Sequence, residues 1–191
     1  MTSILKVDNL QDSSGTGTPY IKGAVLQTVV HQETGLASFA LNGSTDVLFI
    51  ASNASDSTSH LSLSITPKSA NSKILLSTNI FHEINGSSNY NALWGFYRDS
   101  TKLGAPFVGA RRGGIAPTLT NYDAPDNAST PDMAIYQYYD SPNTTSAITY
   151  AVSVNHTSSS NAIFINRTNS DTNNASHERG ISILIAQEIG G

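Results

Sequence analysis

Apolar and polar residues alternate along much of the chain with a period of two, which is typical of a β-strand that buries one face. The clearest run is residues 60–66, in which Leu61, Leu63 and Ile65 alternate with polar residues. Eight further runs are rich in β-branched and aromatic residues, which strands favour: residues 24–31, 47–51, 73–82, 92–98, 134–139, 148–154, 161–166 and 180–189. Because no long window shows a helical apolar stripe, the pattern predicts an all-β protein.

Residues typical of turns separate these runs. Asn42-Gly43 and Asn85-Gly86 suit positions that need a positive φ, and Pro67 ends a strand because it has no N–H to donate. Many short strands with turns between them predict an antiparallel β-sandwich of the jelly-roll-like type.

Two regions interrupt the strand pattern. Residues 4–7 form at most a short strand, and residues 12–18 are a Gly/Ser/Thr linker, which predicts an extended N-terminal arm at 1–22 and a sandwich domain at 23–191. Residues 103–132 are rich in Gly and Pro and contain no sustained strand. A segment this long in a compact domain is usually functional or flexible, and the pattern does not decide between the two.

Composition narrows the function classes. Charged residues make up only 13% of the chain and the net charge is −4, so no basic surface for nucleic acid is expected. There is no cysteine, which removes disulfides and thiol chemistry. Because the N-terminus has no long apolar stretch, we expect neither a signal peptide nor membrane insertion.

The chain offers little recognisable catalytic chemistry. There is no G-x-S-x-G nucleophile motif, and the five histidines lie far apart in sequence with no H-x-H or H-E-x-x-H pair. Residues 171–177 carry oxygen donors but lack the spacing of a calcium loop, so Asx turns are the better interpretation. Five aspartates in or near the middle segment show no pairing that indicates glycoside hydrolysis: Asp99, Asp123, Asp126, Asp132 and Asp140. We therefore expect no enzyme, no cofactor and no metal.

Ligand binding needs less specific chemistry. Arg111, Arg112, Tyr122 and Asp123 share the long middle segment, and such side chains can stack on or hydrogen-bond to a glycan. The alternative to ligand binding is that Arg111, Arg112 and the two glycines after them simply form an exposed turn. The other aromatic residues lie in strand-like runs, where core or inter-subunit packing explains them.

Six segments together resemble the tail-fibre and related virion proteins of bacteriophages, especially marine and cyanobacterial ones. They cover nearly the whole chain outside the middle segment: residues 4–15, 23–30, 61–76, 97–104, 140–150 and 179–190. The resemblance implies a virion component with β-sandwich domains that usually forms trimers, and it supplies no catalytic residues. The chain departs from the family in lacking a long shaft.

The resemblance leads to a function hypothesis with open alternatives. The leading one is a short homotrimeric tail fibre or fibre tip, on the tail or capsid surface, whose residues 1–22 contact other virion proteins and whose sandwich contacts a host-surface glycan or protein. Residues 181–189 carry apolar residues on both faces, and trimerisation is expected to cover the outer one. The alternatives are a capsid decoration or cement protein and a glycan-degrading tail enzyme.

Overall fold

The computed structural model describes residues 22–86, 91–119 and 129–191. These residues form an antiparallel β-sandwich of two six-stranded sheets. In chain order the strands are β1 (Val25–Glu33), β2 (Ala37–Ala40), β3 (Asp46–Leu48), β4 (Ser62–Ile65), β5 (Lys73–Ile84), β6 (Leu93–Arg98), β7 (Thr101–Leu103), β8 (Ala116–Pro117), β9 (Asp132–Asp140), β10 (Ile148–Asn155), β11 (Ala162–Ile165) and β12 (Ser182–Ile189). A 3₁₀ turn lies at Ala51–Asn53.

The first sheet is organised around β5, which is 12 residues long. One edge of β5 pairs with β12 over its first half and with β11 near its end, and the other edge pairs with β9. Strand β1 pairs with β12, and β2 pairs with β11. One half of this sheet therefore has the strand order β1-β12-β5-β9.

The second sheet is organised around β10. Strands β3 and β4 follow one another along one edge of β10, and β6 pairs with the other edge. Strands β7 and β8 extend the sheet beyond β6. The chain passes between the two sheets several times, as in a jelly roll.

The core lies between the sheets and is dense in aromatic side chains. Phe39 stacks on Phe49 with ring centroids 4.5 Å apart, and Phe49 meets Trp94 edge-on at 5.6 Å. Phe96 packs against Tyr136 at 4.7 Å. These contacts join strands of both sheets, and burial of rings this large supplies much of the apolar stabilisation.

A buried ion pair fixes the start of the β9–β10 connection. Arg98 Nη1 donates to both oxygens of Asp140, at 3.0 and 2.9 Å, and the Tyr150 hydroxyl donates to Asp140 Oδ2 at 2.7 Å. Burial, together with this bond to a carboxylate, raises the pKa of Tyr150 far above its ordinary value. Asp140 thus links β6, β9 and β10 across both sheets.

The structure confirms the all-β sandwich prediction. Each of the nine predicted runs overlaps a strand, and in β4 Leu63 and Ile65 are buried whereas Ser64 is exposed, as alternation predicts. Gly43 and Gly86 have positive φ values of 41° and 91°. The sequence analysis missed the short strands β2, β7 and β8.

Two further predictions concern the regions outside the strand pattern. Most of the predicted arm, including the short strand at 4–7, lies outside the described residues. In the part of the chain that the structure describes, no helix has the length and apolar character needed to cross a membrane.

Candidate functional site

The outer face of the first sheet exposes apolar side chains to solvent. Its side chains alternate with core-facing ones, and the strand register places them in rows across β1, β12, β5 and β9. The three central rows are Gln32–Ile183–Asn79–Ile135, Val30–Ile185–Ser77–Gln137 and Thr28–Gln187–Leu75–Tyr139. No charged side chain occurs in these rows. We call these twelve positions, with Val25 and Ile181 beside them, the outer β12 face.

Most of the large hydrophobic side chains that are exposed among the described residues lie on this face. Eight large hydrophobic side chains are exposed among the described residues, and five of them lie on the outer β12 face: Val25, Val30, Ile135, Tyr139 and Ile181. Ile181 is 57% and Tyr139 is 56% exposed. On the opposite sheet, by contrast, Ser64 and Thr149 occupy exposed outward positions and bond to each other at 2.8 Å. Contiguous exposed apolar surface of this kind is typical of protein–protein interfaces.

The structure separates the two arginines predicted to bind a ligand. Arg111 is exposed in a tight turn in which its backbone pairs with Val108, as the exposed-turn interpretation predicted. Arg112 instead points back to the sheet, where its Nη1 donates to the carbonyls of Asn91 and Asn155 at 2.6 and 3.0 Å. Arg112 therefore has a structural role, whereas Arg111 stays free to meet a ligand. Tyr122 and Asp123 lie outside the described residues.

The described first half of the middle segment is anchored to the second sheet. Ala105 N donates to Gly114 O at 3.0 Å, and Ile115 N donates to Trp94 O at 2.7 Å. A Cβ on Gly113 would lie 2.1 Å from the carbonyl oxygen of Ala105, so only glycine permits this approach. The two chain segments that flank the 108–111 turn are thus bonded to each other, and one of them is bonded to β6.

The aspartates considered for glycoside hydrolysis have structural roles where they are described. Asp99 caps the backbone N–H of Thr149 at 2.9 Å, Asp132 is buried, and Asp140 is held by Arg98. Asp123 and Asp126 lie outside the described residues.

The 171–177 loop forms an open polar pocket of about 540 Å³. Arg179 donates to both oxygens of Asp171 at 2.9 Å, and this bond lowers the pKa of Asp171. Asn174 Oδ1 accepts the N–H of Ser176 at 2.9 Å, which is the Asx turn that the sequence favoured over a calcium loop. The pocket offers carboxylate, amide, imidazole and guanidinium groups to a polar ligand.

The aromatic residues considered as sugar platforms lie mainly in the core. Trp94 and Tyr136 are buried, and Tyr97 uses its hydroxyl to bond Asp46 at 2.8 Å. Tyr139 is the exception, since it is exposed on the outer β12 face. Structural contacts therefore account for Trp94, Tyr136 and Tyr97, as expected from their positions in strands.

Sequence reasoning missed one side-chain cluster. His31, Glu33 and His60 each place one potential metal-ligand atom within 4.8 Å of the other two. His31 and Glu33 are two residues apart on β1, so their side chains share a face. That spacing was a usable signal, but His60 is distant in sequence and only the fold brings it near.

Comparisons with known proteins add no assignment, because no protein-family model and no curated protein matches the chain.

Proposed function

We propose that the chain is a structural protein of a bacteriophage virion, acting as a short homotrimeric tail fibre or fibre tip. Residues 1–22 attach it to the virion, and the sandwich contacts the host surface. The observation that supports assembly is the outer β12 face, because a second copy would cover the apolar side chains that it exposes. The phage assignment rests on the family resemblance of the strand and turn segments.

A second copy of the chain fits this face best. The central rows combine apolar residues with Ser, Thr, Asn and Gln and hold no charge, so identical faces meet without like-charge repulsion. Lys73, the charged residue nearest these rows, lies beside Ile189 at the margin. Three copies that turn this face toward a common axis would bury it in each subunit.

Two features outside this face suit host contact. The turn at 108–111 presents Val108 and Arg111 to solvent, and the 171–179 pocket offers hydrogen-bonding groups to sugar hydroxyls. Neither feature is needed for trimer formation. Receptor contact and assembly are therefore assigned to different surfaces of the sandwich.

Labelling the protein on intact particles tests the role. We expect antibody-directed gold on the tail and not on the head. Gold on the head would favour a decoration or cement protein and would overturn the fibre assignment.

Deletion of residues 1–22 tests the arm. The described backbone pairing begins immediately after this deletion, where Gly23 N donates to Gly190 O at 2.7 Å. We expect the truncated chain to fold and to be lost from virions. Wild-type incorporation of the truncated chain would contradict the role given to the arm.

Incubation with host envelope polysaccharide, followed by a reducing-end assay, tests the proposal that the chain is not an enzyme. We expect no new reducing ends. Their release, abolished by Asp→Asn substitution at one of the five aspartates named above, would make the chain a glycan-degrading tail enzyme.

A further inference from the structure

We infer that His31, Glu33 and His60 form a binding site for a zinc-like divalent cation at the edge of the sandwich. One potential ligand atom of each residue lies within 4.8 Å of the other two. The His31 Nε2 to Glu33 Oε2 distance is 3.6 Å. Ligand atoms that share a tetrahedral zinc ion at about 2.1 Å lie about 3.4 Å apart, so rotation of the side chains has to bring the three ligand atoms together.

The three residues come from both sheets. Strand β1 is an edge strand, and its inward-facing His31 and Glu33 point toward the gap beside β4. His60 lies in the connection that enters β4. Its ring stacks on that of His31 with centroids 4.3 Å apart. An ion held here would tie the two sheets together at an edge where no strand pairing joins them.

Backbone groups orient two of the ligands. His60 Nδ1 lies 2.9 Å from the Thr58 carbonyl, which can only accept, so Nδ1 carries the proton and Nε2 keeps its lone pair for a metal. The oxygens of Glu33 accept the N–H groups of Gly35 and His60 at 2.6 and 2.7 Å. Each oxygen retains a second lone pair for coordination.

His31 has a competing bond. Its Nε2 lies 2.8 Å from the His60 carbonyl, so without metal this nitrogen donates a proton. Coordination through Nε2 replaces that hydrogen bond, and coordination through Nδ1 keeps it. We therefore expect this competing hydrogen bond to weaken metal binding relative to a site whose three ligand atoms are all free.

The turn before His60 lies very close to the connection between β1 and β2. Asp56 accepts the N–H groups of Thr58 and Ser59 at 3.0 and 2.8 Å. A Cβ on Gly35 would lie 2.2 Å from Ser59 Oγ and 2.9 Å from Glu33 Oε1, so a larger residue would displace these two side-chain ends where the β1–β2 connection meets this turn. The turn before His60 and the β1–β2 connection therefore both limit where the side chains of the cluster can lie.

The donor set selects the class of ion. Two imidazoles and one carboxylate suit zinc and its neighbours in the first transition row, whereas magnesium and calcium require oxygen ligands. A fourth position remains open to solvent because the three residues are only partly buried.

Zinc titration of the untagged full chain tests the site. We expect calorimetry with ZnCl₂ at pH 7.5 to give one site per chain and MgCl₂ to give none. His31→Gln and His60→Gln should each weaken binding at least about tenfold. The control, Glu178→Gln, removes an exposed carboxylate outside the cluster and should leave zinc binding unchanged.

A measurement on the unmodified chain removes any dependence on how the variants fold. All five histidines lie in the described residues, and zinc should shift the imidazole NMR signals of His31 and His60 alone. Saturating zinc should also raise the Tm by about 5 °C. No saturable zinc binding, equal binding in both variants, or shifts at other histidines would overturn the assignment.

Discussion

Val30 on β1 lies directly opposite Ile185 on β12, and both side chains point away from the core on the outer β12 face. Val30 is 54% exposed although it occupies the middle of a nine-residue strand. Burying such a pair against a second copy removes apolar surface from water without requiring new polar contacts. This pair is therefore the most informative place to disturb the proposed assembly.

Ile185→Lys should dissociate the trimer without unfolding the subunit. Each copy would have to bury an unpaired ammonium, so we expect the subunit dissociation constant to rise on the order of a hundredfold or more. Analytical ultracentrifugation and circular dichroism measure the two effects separately. Ser64→Lys, on the outer face of the other sheet, is the matched control and should leave the sedimentation unchanged. A trimeric Ile185→Lys variant would exclude this face as the interface.

His82 should make the fold sensitive to acid. It is fully buried against Trp94, with ring centroids 4.8 Å apart, and burial lowers the pKa of His82 from its ordinary 6.5 to about 3. Between these values the unfolded chain binds a proton that the folded chain does not. Stability therefore falls as the pH drops below about 6.5, by up to about 1.4 kcal/mol per pH unit.

The matched variant isolates this effect from the titration of other groups. Urea unfolding at pH 7 and pH 5 should show that the wild type loses about 2 kcal/mol more than His82→Gln does. Equal losses in the two proteins would mean that His82 takes up its proton readily in the folded state.

Asp140→Asn should destabilise the sandwich by about 2 kcal/mol. The side chain of Asp140 is 7% exposed and that of Arg98 is 24% exposed, so the change leaves a largely desolvated guanidinium without its counter-charge. Tyr150→Phe removes only one of the hydrogen bonds to Asp140 and should cost about 1 kcal/mol. Urea denaturation measures both. An Asp140→Asn variant as stable as the wild type would show that hydrogen bonding alone holds this connection.

Alanine substitution of Arg111 and of Arg112 should change the stability of the fold by different amounts, although the two residues are neighbours. Arg112→Ala removes the bonds to the Asn91 and Asn155 carbonyls and should cost about 1–2 kcal/mol of stability. Arg111→Ala should change stability by less than about 0.5 kcal/mol because its side chain is exposed. If the 108–111 turn contacts the host, Arg111→Ala should instead slow phage adsorption. Thermal unfolding and adsorption assays together distinguish the two roles.

Alternation of apolar and polar residues, together with runs rich in β-branched and aromatic residues, was sufficient to predict the main strands. It failed at β2, because Ala-Ser-Phe-Ala has weak β propensity, and at β7 and β8, which are only three and two residues long. Pairing with longer neighbours stabilises these strands, and a single sequence does not show that pairing.

The candidate sites were less predictable for the same reason. The apolar run at 181–189 correctly indicated a strand with apolar residues on both faces, but the rows that it forms with Val30 and Ile135 depend on register. His60 approaches His31 only because β1 and β4 lie side by side at the edge of the sandwich. Likewise, Arg111 and Arg112 look equivalent in sequence, and the backbone of the turn separates them.

The central claim is that the outer β12 face joins identical subunits. Sedimentation equilibrium of the full chain at micromolar concentration tests it most directly. We expect a single species of three times the 20.2 kDa chain mass. A stable monomer at that concentration would contradict it.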